Sequence, residues 1–101
     1  MTKVELNRKL AESTGNAIHS ILNGRKTLLI DDNQTIYKLS ITHAIDIHQF
    51  ESSVTTTCTV QDKEQTVFRL VSTSYFDDYF DKVEATNWAI AEAIIKKVKG
   101  V

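Results

Sequence analysis

The chain has 101 residues, 42% of them hydrophobic and 25% charged, with a formal net charge of -1. That length supplies one hydrophobic core, so residues 1–101 are expected to form a single globular α+β domain. The charge balance lacks the excess of Lys and Arg that non-specific binding to nucleic acid or anionic lipid requires, and no apolar stretch is long enough to span a membrane.

Cys58 is the only cysteine, so no intramolecular disulfide can form and an oxidising compartment is not required. After Met1, charges interrupt every apolar stretch and no signal-peptide core develops, which points to the cytoplasm. There is no proline, linker or repeat at which to divide the chain.

Thr2 and Glu5 have the spacing of a helix-starting capping box. Leu6, Leu10, Ala17, Ile18, Ile21 and Leu22 then recur at helical spacing, and Asn23-Gly24 reads as a left-handed helix stop followed by Arg25 and Lys26. Gly15 falls inside that helix, where close packing against a sheet would account for it. Gly100, like Gly15 and Gly24, sits in or just after a helical segment.

Thr27 to Ile30 reads as a strand and Asp31-Asp32-Asn33-Gln34 as its turn. From Ile36 to Ile47 the alternation is long: Tyr37, Leu39, Ile41, His43, Ile45 and Ile47 on one face, Lys38, Ser40, Thr42, Ala44 and Asp46 on the other. Val54 to Val60 is a β-branched strand, Asp62-Lys63-Glu64 a turn, and Thr66 to Ser74 a further strand. In that last strand Phe68 and Leu70 oppose Val67, Arg69 and Val71.

The final segment is helical, with Phe76, Phe80, Val83, Asn87, Ile90, Ala91, Ile94 and Val98 in one stripe. Asp77, Asp78 and Asp81 suit its start, Asp77 as the cap or a first-turn carboxylate, and Lys96, Lys97 and Lys99 suit its end. The expected fold is therefore a four-stranded antiparallel meander with N- and C-terminal helices on one face, in the order α-β-β-β-β-α. Its outer face would carry Lys38, Ser40, Thr42, Thr55, Thr57, Thr59, Val67, Arg69 and Val71.

Chemistry is sparse. His43 and His48 differ by an odd number of positions, so on one strand they face apart, and no paired cysteine or His-x-x-x-His spacing completes a metal site. The chain shows no nucleophile elbow, phosphate loop or dinucleotide fingerprint, so neither a cofactor nor catalytic residues are expected. Two surfaces stand out. Tyr75, Asp78, Tyr79 and Asp81 form an acidic–aromatic knob suited to a basic protein partner. The outer sheet face with Lys38, Val67, Arg69 and Val71 suits a protein partner or a second copy of the chain.

These features point to a non-enzymatic protein-binding module, an inhibitor or regulator of a larger bacterial or phage machine. The alternative is a nucleic-acid-associated regulator, in which Arg25, Lys26, Lys96, Lys97 and Lys99 would meet at adjoining helix C-termini. A small enzyme ranks third.

Overall fold

The computed structural model of the chain describes residues 1–99, so Gly100 lies outside it. Thr2 starts the first helix as its spacing predicts: its hydroxyl accepts from the Glu5 N–H at 3.2 Å, and α1 runs Lys3–Thr14. The helix stops at Gly15, which takes the left-handed conformation (φ 68°) and returns its N–H to the Ala11 carbonyl. Nothing lies within 4 Å of where a Gly15 Cβ would stand, so this glycine ends a helix and does not permit close packing.

The expected continuation to Gly24 is corrected by a hairpin. Strands β1 (His19–Leu22) and β2 (Arg25–Leu28) pair antiparallel, with Leu22 opposite Arg25. Asn23 (φ 52°) and Gly24 (φ 75°) form the turn, and two successive positive φ values are the conformation that Asn-Gly favours in two-residue hairpins. The pair closes a strand turn, not a helix.

A second correction concerns Ile36 to Ile47. Helix α2 spans Asn33–Thr42. Asp32 caps it, one carboxylate oxygen accepting from the Thr35 N–H at 3.2 Å and the other from the Thr35 hydroxyl at 2.7 Å. Ile36 and Ser40 are buried and Leu39 half-buried, a helical spacing, while Tyr37, Lys38, Ile41 and Thr42 face out. Lys38, Ser40 and Thr42 therefore belong to a helix and not to the outer face of a sheet. Ala44, at φ 53°, turns the chain into the short strand β3 (Asp46–Gln49).

The remaining strands follow the sequence closely. Strand β4 covers Ser53–Gln61 and β5 covers Val67–Tyr75, joined where Asp62 accepts from the N–H groups of Glu64 (2.9 Å) and Thr66 (2.8 Å). Val54, Thr56 and Cys58 of β4 turn inward together with Phe68, Leu70, Ser72 and Ser74 of β5; the alternate residues of β5 are exposed. After a 3-10 turn at Phe76–Asp78, helix α3 runs Lys82–Lys99.

The class is α+β, as the sequence predicts. Among the described residues the strands divide into a pair, β1-β2, and an antiparallel sheet ordered β3-β4-β5, with α2 between them in the chain. Helix α3 is the central element. Ala85, Ala89 and Ala93 are fully or almost fully buried, and small side chains there let it lie close to the sheet. The Thr56 hydroxyl donates to the Ala89 carbonyl at 2.8 Å, pinning β4 to the helix. The core joins Leu6, Leu10, Leu29, Ile30, Ile36, Cys58, Ile90 and Ile94. Helix α1 packs chiefly on α3, so the terminal helices form two successive layers.

Candidate interaction surfaces

The segment between β5 and α3 is held from both ends. Phe76 and Tyr79 pack on Val54, Ala85 and Ala89, the Tyr79 ring meets Trp88 with centroids 5.3 Å apart, and the Lys82 amine lies 5.3 Å from the Phe76 ring centre. Asp81 caps α3 by accepting from the Glu84 N–H at 2.8 Å, a role the sequence assigns to Asp77. Tyr79 is thus an internal anchor. Burial pushes its phenol up, partly offset by the nearby Ser74 hydroxyl, whose own buried oxygen has no partner at hydrogen-bond geometry.

The aromatic that faces solvent is Phe80, which the sequence places on the core stripe. It is 90% exposed, and Val83 beside it is 51% exposed. Asp31, Asn33, Asp81, Glu84 and Asn87 line a shallow cleft of about 220 Å³ with these two residues. Asp31 is already paired with Lys3 at 2.8 Å; Asp77 and Asp78 are exposed in the turn just before. Residue pattern alone misses Phe80 because helical spacing continues backwards through the cap. The one available signal is that Asp81, followed three residues later by Glu84, is itself an N-cap pattern.

Tyr75 leaves the knob and joins the sheet. It is the last residue of β5, 60% exposed, on the same face as Val67 (62%), Arg69, Val71 (49%) and Thr73. Opposite them on β4 stand Thr59, Thr57 and Thr55. This outer face agrees with the expected one for its β4 and β5 members. On β3 it gains Asp46 and His48, and the His48 Nε2 lies 3.5 Å from the Thr57 hydroxyl.

Among the described residues no three of His, Cys, Asp or Glu gather as a metal ion would need. His43 ends α2 whereas His48 lies on β3, so the two sit on different elements. Burial, aided by the Lys97 charge, holds the His43 imidazole below its ordinary range. Burial pushes the Cys58 thiol up, away from the thiolate form that nucleophilic or redox work requires.

The shared basic patch lacks its premise, because Arg25 and Lys26 stand on a hairpin strand and not at a helix end. Lys96 donates to the Val71 carbonyl and the Ser72 hydroxyl, each at 2.9 Å, and Lys97 donates to the His43 carbonyl. No helix among the described residues is long and apolar enough to cross a membrane. Compared with known proteins, the chain matches no family model, no curated protein and no solved structure.

Proposed function

We propose that this chain is a non-enzymatic, cytoplasmic protein-binding module that inhibits or regulates a larger protein through its acidic–aromatic knob. The observation that carries this reading is Phe80. A phenylalanine standing 90% exposed leaves its burial, worth roughly 1.5–3 kcal/mol, available to a partner. The Phe80 backbone is fixed by the Asp81 cap on one side and the Tyr79–Trp88 contact on the other, so little ordering entropy opposes docking. Asp81 and Glu84 share the cleft with the ring, and Asp77 and Asp78 lie exposed in the turn just before it, so its surroundings are acidic. The complementary partner is a protein with an apolar socket rimmed by Lys or Arg.

The test is affinity capture from nuclease-treated cell extract with wild type, Phe80→Ala and Asp78→Lys. The module reading expects proteins retained by wild type, lost with Phe80→Ala and weakened by salt or by Asp78→Lys, all at unchanged melting temperature. Capture identical in all three, or capture abolished by nuclease, would overturn it; the latter outcome favours the nucleic-acid reading.

A further inference from the structure

Strand β5 is the edge of its sheet over nine residues. The pairing of the hairpin fixes which backbone groups point where. Asp62 donates its N–H to the Thr66 carbonyl and Phe76 donates to the Ser52 carbonyl, so the even-numbered residues of β5 exchange hydrogen bonds with β4. The N–H and C=O groups of Val67, Arg69, Val71, Thr73 and Tyr75 point the other way, along an edge that no strand among the described residues covers. Lys96 confirms the direction by donating to the Val71 carbonyl from the α3 side.

We propose that this edge takes an extended, acidic segment of another protein as an added strand. Main-chain bonding along an edge accepts many sequences, so the choice of partner falls to side chains on the two faces. On the outer face an added strand places every second residue beside Val67, Val71 and Tyr75, which favours apolar or β-branched side chains. On the inner face its intervening residues meet Lys96, which also donates to the Ser72 hydroxyl at 2.9 Å. Beyond Lys96 lies a cleft of about 260 Å³ with Leu6 and Ile95 among its apolar lining and Lys9, Lys96 and Lys99 against the single acid Glu92. That rim is positive.

An incoming N–H takes the Val71 carbonyl, and the released Lys96 amine keeps Ser72 while gaining a carboxylate. The same lysine disfavours a second copy of the chain. A two-fold pairing centred on Val71 would bring two Lys96 amines together, the usual way an exposed edge is guarded against itself. This surface does not depend on Phe80 and stands whether or not the knob binds.

The probe is a terminally blocked nine-residue peptide alternating threonine and glutamate around a central valine, with lysine replacing glutamate in the control. Binding is followed by backbone amide NMR. The expected result is shifts and slowed hydrogen exchange at Arg69, Val71 and Thr73 with the glutamate peptide, roughly tenfold weaker binding of the lysine peptide, and a reversed preference in Lys96→Glu. Lys96 is exposed, so the variant should fold; Val71→Pro, which removes only an outward N–H, should abolish binding. Equal affinity for both peptides, shifts confined to other elements, or a β5 edge already protected in a dimer of the free chain would each overturn the proposal.

Discussion

Asn7 of α1 and Asn87 of α3 hold the two polar groups of the same residue, Ile30. Asn7 Oδ1 accepts from the Ile30 N–H at 2.8 Å, and Asn87 Nδ2 donates to the Ile30 carbonyl at 3.1 Å. The other arms extend the grip: Asn7 Nδ2 donates to the Ile18 carbonyl at 2.9 Å, and Asn87 Nδ2 to Asn33 Oδ1 at 2.7 Å. Both side chains are buried, so the first helix, the hairpin, the start of α2 and the last helix meet at one satisfied polar node.

Replacing either asparagine with leucine removes its bonds and takes away the partner of the Ile30 group it serves. Asn7→Leu should cost more than Asn87→Leu, because it leaves the buried Ile30 N–H without its acceptor; the Ile18 carbonyl keeps the Leu29 N–H at 3.0 Å. About 1–3 kcal/mol is expected for each stranded buried group. Urea denaturation measures this directly. An unchanged midpoint for Asn7→Leu would show that the node contributes nothing to stability.

The burial of Asn87 is legible in the sequence, since a polar residue in the centre of an apolar stripe must find partners, and it finds the Ile30 carbonyl and Asn33. The hairpin β4-β5 is equally legible, because alternation, a β-branched run and an Asp-rich turn all agree. Two segments mislead for one physical reason. Ile18, Ile21 and Leu22 keep a helical spacing, and the residues from Ile36 to Thr42 fit a helical and a strand period alike, so in both segments local caps and turns decide where periodicity does not. Gly15 stops α1 before its apolar pattern ends, while Asp32 and Thr35 start α2 inside an apparent strand. Phe80 fails similarly: periodicity sees the stripe, and the Asp81 cap breaks it.

The hairpin turn gives a sharp substitution test. Gly24 holds φ 75° with nothing within 4 Å of its Cβ direction, so only conformational strain opposes a larger residue. Gly24→Val should destabilise the protein by roughly 1–2 kcal/mol through the left-handed penalty, whereas Asn23→Gly should be nearly neutral. Equal effects of the two in chemical denaturation would argue against the two-residue turn.

Cys58 should be chemically silent while the chain is folded. It is 2% exposed in the core, and burial raises its thiol above the ordinary value. A thiol-specific disulfide reagent at mildly alkaline pH should modify it only as fast as the protein opens, with the rate rising in step with urea. Reaction as fast as that of a free thiol in native buffer would contradict the packing of β4 against α3.

Acid should destabilise the fold in two separate steps. Burial, with the Lys97 charge, sets the His43 pKa below its ordinary 6.5, so the unfolded chain binds the proton more readily. The bond from the Thr35 hydroxyl leads in setting the Asp32 pKa below 3.8, partly opposed by burial; again the unfolded chain protonates first. Both folded values are depressed, so in both cases stability is present above the unfolded pKa and is lost as pH falls through the folded one. The His43 contribution fades below about pH 6.5, and the Asp32 contribution begins to fade only below about pH 4. Melting temperature recorded from pH 7.5 to 3 should therefore fall in two stages. His43→Gln should flatten the upper stage and leave the lower one, while Asp32→Asn should lower stability at neutral pH and flatten the lower stage. An upper stage unchanged by His43→Gln would assign that loss to another group and remove His43 from the acid response.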